Sequence, residues 1–174
     1  MEKLYLRLMK LEAKEIVLDF IKEMIEHASD IHGLWYTHEE TFEKMYEAIQ
    51  KHSIIKYEGY EQKTPIKYQY LLMSEKTNKL IGVISIRPYL NRSLDESFGG
   101  NIGYSIRPSE RKKGYATEGL RLAVLETKKI NPKDPVMVCC NKYNIGSKKA
   151  ILNNGGILKE EKNALISEQK YLIY

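Results

Sequence analysis

The stretch that decides the fold runs from Arg107 to Lys129 and reads RPSERKKGYATEGLRLAVLETKK. From Tyr115 onward its apolar residues recur at helical spacing. Directly before Gly114 stand three adjacent cations, namely Arg111, Lys112 and Lys113. Adjacent like charges repel, so this arrangement costs free energy unless the side chains share an anion. The stretch therefore raises the question of which anion a helix start would hold here.

The turn before this helix has the features of an anion site. The first amides of a helix have no intrahelical partner, and the helix adds partial positive charge at that end. Gly114 lets the backbone approach a ligand closely or take a positive φ. Ala116 is small, and Thr117 can add a hydroxyl donor. The site is wide enough for a pyrophosphate, and the alternative is a capped surface helix with a solvated basic end.

Hydrophobic periodicity predicts elements in the order β-α-α-β-β-β-α-β-α-β-β. The predicted strands cover 3–8, 67–74, 79–87, 101–107 and 136–140, and the tail forms a hairpin that turns near Asn163. An amphipathic helix is predicted over 16–28, and a second helix follows a capping box from Thr37 to Glu40. The last helix spans 144–153, with Gly155 and Gly156 as candidates for its left-handed cap. This mixture predicts an α/β protein with a mixed sheet.

Length, composition and charge limit the class of protein. The 174 residues favour one domain over 1–174, and the net charge of +5 is compatible with a solvated surface, an anionic ligand or nucleic acid. Cys139 and Cys140 are adjacent and are interpreted as core residues of a strand. The N-terminus has no apolar signal region and no apolar run is long enough for a membrane span, so we expect a cytoplasmic protein. No metal site is expected, because metal-ligand spacing is absent among His27, His32, His38 and His52.

Two other glycine-rich signatures are absent from the chain. Neither G-x-x-x-x-G-K-[ST] nor G-x-G-x-x-G occurs, which argues against a nicotinamide enzyme. Instead, Arg111-x-x-Gly114-x-Ala116 resembles the R/Q-x-x-G-x-G/A motif of the Gcn5-related N-acetyltransferases (GNAT superfamily). NIGYSIRPSERKKGYATEGL resembles the fourth strand, pyrophosphate loop and third helix of that family as one block. The family's fourth-helix pattern is matched by Asn144, Ser147, Ile151 and Gly155.

The resemblance is clear from Leu80 to Leu158, and the element order extends it over the chain. FGGNIGYSIRP and the final KYLIY are similar to a bacterial subgroup of predicted acetyltransferases. The resemblance implies the acyl-CoA N-acyltransferase fold. In that fold a mixed, mostly antiparallel central sheet is flanked by helices, and strands four and five splay apart to admit acetyl-coenzyme A.

The resemblance also implies roles for individual residues. Pantetheine would lie along the backbone near Tyr104 and Ile106, with the Ile106 amide as oxyanion donor to the thioester carbonyl. Asn144 and Ser147 would contact the cofactor from the fourth helix. The pyrophosphate would sit on the amides of the loop and helix start, with Thr117 beside it, and these amides belong to Arg111, Lys112, Lys113, Gly114, Tyr115 and Ala116.

Acetyl transfer requires a neutral amine. A lysine-like amine has a pKa near 10.4, so its deprotonation at pH 7 costs about 4–5 kcal/mol and a base usually assists. Many relatives carry a carboxylate near the start of the fourth strand, where this chain has Gly100 and Asn101. Asp95 and Glu96 lie just upstream. They can act as a base through water, gather a cationic acceptor, or form only a solvated loop, and we favour acceptor gathering.

Two further family features leave questions open. Where many relatives have a fourth-helix tyrosine that protonates the leaving thiolate, this chain has Ile151, and Tyr143 only lies nearby in sequence. The acceptor loop holds Trp35 and Tyr36, for which core packing is favoured over ligand contact.

The leading hypothesis is a cytoplasmic enzyme that transfers acetyl from acetyl-CoA directly to a small-molecule or peptide amine, without a metal, membrane or nucleic-acid partner. The first alternative is a CoA-binding regulatory module without turnover, because the carboxylate and the tyrosine are missing. The second is a nucleic-acid-binding protein, which the basic pI near 9.0 motivates. A homodimer stays open.

Overall fold

The structure is a computed structural model, and it describes residues 2–36, 41–52, 67–90, 100–163 and 167–174. Asp95 and Glu96 lie outside these ranges, as do His38 and the predicted capping box from Thr37 to Glu40.

The described elements follow the predicted order. The strands are β1 (Leu4–Leu8), β2 (Tyr68–Ser74), β3 (Leu80–Ile86), β4 (Ile102–Ile106), β5 (Val136–Asn141), β6 (Ile157–Asn163) and β7 (Ser167–Ile173). The helices are α1 (Lys14–Glu26), α2 (Phe42–His52), α3 (Tyr115–Ile130) and α4 (Ile145–Asn153). Short 3₁₀ turns precede α1 at Leu11–Ala13 and follow β4 at Pro108–Glu110. None of the described helices is long and apolar enough to cross a bilayer.

One helix end differs from the sequence pattern, and at another only one of the two candidate glycines forms the cap. The sequence predicts an amphipathic helix over 16–28, but Ile25 is 47% exposed and Ala28 lies beyond the helix with φ 46°. At the end of α4, Gly155 has φ 78° and provides the left-handed cap, whereas Gly156 does not take a positive φ.

The sheet divides into two parts between β4 and β5. One part has the order β1-β2-β3-β4 with antiparallel pairing, and the other has the order β5-β7-β6. Asn101 joins them at one end: its N–H donates to the Met137 carbonyl (2.7 Å), and the Met137 N–H donates to Asn101 Oδ1 (2.7 Å). Both strands start at this junction and share no ladder beyond it, which confirms the predicted splay of strands four and five.

The first part of the sheet is covered on both faces. Leu72, Ile84 and Ile106 pack in a cluster with Leu120 of α3. On the opposite face, Leu71, Met73 and Val83 pack with α1 and α2 through Phe20, Met24 and Ile49. Because side chains alternate along a strand, Tyr104 and Ile106 face α3, whereas Gly103, Ser105 and Arg107 face α1.

Candidate active site

The loop before α3 presents backbone amides in a concave arrangement. Lys112 and Gly114 both have positive φ values, 62° and 82° respectively. Arg111, which precedes them in the chain, has an extended backbone. Gly114 is the N-cap residue of α3, and no described side chain caps the helix there. Left-handed residues in such a turn direct successive N–H groups to one side, where they can bind an anion. Gly114 takes the positive φ that the sequence allowed for it, and the loop has the backbone geometry of an anion site.

The three cations beside this loop are not equivalent. Lys113 Nζ lies 2.7 Å from Glu110 Oε2, and Lys79 Nζ lies 2.6 Å from Glu110 Oε1. Arg111 donates from Nε to the Ile106 carbonyl (3.1 Å). Within the described ranges, Lys112 forms no ion pair. A carboxylate of the chain therefore supplies part of the counter-charge that the sequence assigned to a ligand alone.

The first residues of α3 contribute in different ways. Tyr115 is buried and its hydroxyl donates to Glu2 Oε2 (2.9 Å), so only its backbone amide is available to a cofactor. Ala116 and Thr117 are half-buried, and the Thr117 carbonyl accepts from Asn154 Nδ2 (3.0 Å). The amide of residue 115 and the small side chain of Ala116 leave the helix start open to a phosphate.

The backbone of β4 directs two amides into the gap beside β5. The Arg107 N–H donates to the Ile81 carbonyl (2.9 Å). From this pair the antiparallel register of β3 and β4 continues toward Asn101. Alternation along an antiparallel strand then turns the N–H groups of Tyr104 and Ile106 away from β3. Donors of this kind can bind pantetheine or polarise a thioester carbonyl.

A pair of hydroxyls bridges the same gap from the α3 face. Tyr104 Oη lies 2.6 Å from Ser147 Oγ on α4, and Asn144 caps α4 by accepting from the Ser147 N–H (3.0 Å). Burial raises the pKa of Tyr104 to about 12, although the Ser147 contact opposes this rise. The phenol therefore stays protonated at neutral pH. Ile151, at the fourth-helix position where many relatives carry a tyrosine, is fully buried. The sequence did not indicate that the Tyr104 phenol of β4 lies beside Ser147.

Asn101 is not free to assist chemistry. Its Nδ2 donates to the Arg87 carbonyl (2.7 Å) and its Oδ1 accepts from the Met137 amide. The side chain is buried and both of its polar atoms are used. Its role is to join the strands at the closed end of the gap, which agrees with the expectation that it is no base.

The α1 side of β4 is lined by the segment that follows α1. The His32 N–H donates to Ser105 Oγ (2.7 Å), and Gln69 Nε2 donates to the Gly33 carbonyl (2.7 Å). Trp35 is 42% exposed, and Lys67 Nζ lies 5.8 Å from its ring centroid. The prediction that Trp35 packs in the core is therefore wrong, whereas Tyr36 does pack against the core beneath α1 and α2.

Arg107 fixes the segment between β4 and the phosphate loop to α1. It is buried, and its Nη1 donates to Asp19 Oδ2 (2.8 Å) and Glu23 Oε2 (2.9 Å). Its Nε donates to the Leu80 carbonyl (3.0 Å). Glu23 Oε1 also accepts from the Ser109 N–H (2.7 Å). The start of the loop is thus held from α1 at two points.

The cysteines do not provide a nucleophile. Cys140 is buried and Cys139 is half-buried, in agreement with the interpretation of core residues in a strand. Burial raises the pKa of both thiols, that of Cys139 to about 11, so both stay protonated at neutral pH. Across the described part of the chain, no group of His, Cys, Asp and Glu side chains could hold a metal ion.

The chain was compared with known protein families, sequences and structures. Residues 3–157 match the family described as acetyltransferase (GNAT) domain. No curated protein sequence matches the chain. A ribosomal-protein-S5-alanine acetyltransferase from Vibrio fischeri superposes with a TM-score of 0.71 at 14% identity, over 99% of this chain and 93% of its own.

Two further structures share the fold. A ribosomal alpha-N-protein acetyltransferase in complex with coenzyme A has a TM-score of 0.70 at 15% identity, over 98% of this chain and 94% of its own. A spermidine N-acetyltransferase chimera from Vibrio cholerae has a TM-score of 0.64 at 14% identity, over 98% and 94% of the two chains.

The fold, the amide loop and the splayed strands define an acyl-CoA-binding transferase. The chain belongs to the GNAT acetyltransferase family. It is an N-acetyltransferase that uses acetyl-CoA as its acetyl donor.

Proposed function

We propose that the chain is a single N-acetyltransferase domain in which acetyl-CoA lies between β4 and β5 and the amine attacks the thioester directly. The observation that carries this proposal is the alignment of three features along one gap. The amide loop of Arg111–Ala116 lies at its open end, the Tyr104 and Ile106 amides face into it, and the Tyr104–Ser147 hydroxyls bridge it. Acetyl-CoA supplies an activated acetyl group there.

Each part of this site has its own role in binding or catalysis. The loop amides, with Lys112 at their rim, hold the pyrophosphate. The Ile106 amide donates to the thioester carbonyl, where negative charge develops in the transition state. As the carbon–sulfur bond breaks, the hydroxyl pair supplies the proton that the departing thiolate takes up. The attacking amine gives its own proton to a base or to water.

Acceptors enter from the α1 side, because the other side of the gap is closed by α3 and α4. The similar structures act on a ribosomal-protein alanine and on spermidine, as their names state. Both are primary amines, one on a peptide and one on a small molecule. We propose an acceptor from one of these two classes, and no role for nucleic acid.

The proposal extends to location and assembly. We propose that the enzyme acts in the cytoplasm, without a membrane partner, and as a homodimer. Exposed apolar side chains along α4 and β6 would supply the dimer surface, and they are Leu152, Ile157 and Leu158. Light scattering after size exclusion measures the assembly state directly.

The hydroxyl pair gives the function its sharpest test. In Tyr104→Phe and Ser147→Ala, kcat for thiol release from acetyl-CoA with a panel of amines is expected to fall about 10-fold or more. The KM for acetyl-CoA should change less than kcat, because the phosphate loop is untouched and only one hydroxyl contact to the cofactor is lost. Tyr143→Phe is the matched control, since Tyr143 is 73% exposed. If none of the amines in the panel supports thiol release by the wild-type protein, CoA binding without turnover is favoured.

The acidic pair upstream of β4 is tested by its own variants. We propose that Asp95 and Glu96 gather the ammonium form of the acceptor. In the double variant Asp95→Asn, Glu96→Gln, the KM for the amine should then rise about 3-fold or more while kcat stays near its starting value. A kcat loss of about 100-fold that disappears above about pH 9 would instead assign the pair as the general base.

A further inference from the structure

Lys67 and Arg87 form a cationic pair at the closed end of the gap. They directly flank the last paired residues of β2 and β3, Tyr68 and Ile86, so they stand opposite each other. Arg87 is fixed to the start of β4, because its N–H donates to the Asn101 carbonyl (2.7 Å). The pair therefore has a defined place on the sheet.

The surroundings of Arg87 point to an anion. Its Nε is buried and has no hydrogen-bond partner among the residues that the structure describes. Burial lowers the pKa of Arg87, and burial together with the Arg87 charge lowers the pKa of Lys67 to about 8. Both side chains thus remain mainly charged at pH 7. A buried donor without a partner is destabilising, and an anion bound to the guanidinium would remove this cost.

The cationic pair faces the acceptor side of the sheet. Alternation along β3 puts Arg87 on the same face as Val83 and Ser85, toward α1 and away from α3. The Trp35 ring lies 5.8 Å from Lys67 Nζ and is 42% exposed. Together these residues form a wall with two charges and one aromatic face.

The cationic pair is too far from the loop to serve the same phosphates. Arg87 lies five residues along β3 from Gly82, the partner of Ile106, which corresponds to about 17 Å. It lies three residues from Ile84, the partner of Tyr104, or about 10 Å. An anion at Arg87 is therefore within the length of a short acceptor whose amine reaches the gap beside Tyr104.

We propose that Arg87, with Lys67 and Trp35 beside it, binds a carboxylate of the amine acceptor, so that the enzyme prefers amines that carry a nearby carboxylate. A guanidinium can donate two parallel hydrogen bonds to a carboxylate, which gives direction as well as charge. This inference rests on the proposed function, since it names the class of amine. An acidic peptide N-terminus and a free amino acid share this chemistry.

The single tryptophan of the chain makes the site directly measurable. Trp35 fluorescence is titrated with acetylated products in the presence of coenzyme A, so that binding is read without turnover. One arm compares N-acetyl-Ser-Asp-Ala-Ala-amide with N-acetyl-Ser-Asn-Ala-Ala-amide. The other compares N-acetylalanine with N-acetylalanine amide. In at least one arm the carboxylate is expected to bind about 10-fold or more tightly than its neutral match.

The Arg87→Gln variant should reduce this preference to less than about 3-fold, whereas Lys133→Gln, an exposed lysine beyond α3, should retain it. Arg87→Lys keeps a charge but loses the planar fork, and it should show an intermediate preference even if Arg87→Gln does not fold. Equal binding of both members in both arms, or a preference that survives in the Arg87 variants, would overturn the proposal. If acetyl transfer alone fails, the proposed function is contradicted. The carboxylate preference can still be measured, because the fluorescence titration does not need turnover.

Discussion

A Gly114→Val variant is expected to bind coenzyme A about 100-fold more weakly than wild type while it keeps its fold. Gly114 has φ 82° and ψ 0°, a conformation that a β-branched residue adopts only with strain of about 1–3 kcal/mol. The loop escapes this strain by turning its amides away from the phosphate. Calorimetry with coenzyme A measures the loss, and circular dichroism checks the fold.

Gly155→Val is the matched control for backbone strain. Gly155 has nearly the same φ, 78°, and an added Cβ would meet none of the described atoms within 4 Å. Its substitution should lower stability to a similar degree but change coenzyme A affinity by less than about 2-fold. Equal losses of affinity in both variants would assign the effect to general strain. Unchanged coenzyme A affinity in a folded Gly114→Val protein would contradict phosphate binding by this loop.

The features that could be predicted from the sequence are those set by neighbours along the chain. The left-handed Gly114 follows from a strand that must turn sharply into a helix, and only glycine does this without a steric cost. Asn144 as the N-cap of the last helix follows from its side chain, which accepts from the Ser147 amide. Local sterics decide both, so the residues alone indicate them.

The remaining features depend on contacts between distant parts of the chain. Tyr104 and Ser147 are 43 positions apart, and their 2.6 Å contact requires the placement of α4 against β4. Glu110 could not be chosen as the partner of Lys113 and Lys79 before the turn at Pro108–Glu110 was known. Periodicity also does not show that Trp35 stays exposed. Several of these residues belong to the proposed site, so the site was less predictable than the fold.

The role of Arg107 also could not be predicted from the sequence, and its substitution has the second large expected effect. Its sequence position marks only the end of a strand, yet it connects β4 to Asp19 and Glu23, 88 and 84 positions earlier. It also lies 5.9 Å from the Phe20 ring centroid. Burial alone would raise the pKa of Glu23, but the Ser109 hydrogen bonds and the Arg107 charge hold it below its ordinary value.

The Arg107→Met variant is therefore expected to lose about 3 kcal/mol of stability, because it leaves the half-buried Glu23 carboxylate without its cation. Thermal denaturation should show a fall of about 10 °C in Tm. Coenzyme A affinity should fall as well, since Arg107 directly follows Ile106 and holds the start of the loop. Asp19→Asn is the control: Asp19 is 66% exposed, so its loss should cost less than about 1 kcal/mol.

The pH dependence of stability separates this ion cluster from simple packing. Glu23 has a lowered pKa in the folded state, so its contribution is fully present above the unfolded value near 4.3 and is lost as the pH falls through the folded value. Wild type should thus lose stability more steeply than Arg107→Met between about pH 5 and pH 3. Parallel curves for the two proteins would mean that Arg107 acts through its packing on Phe20, because packing of an apolar stem does not titrate in this range.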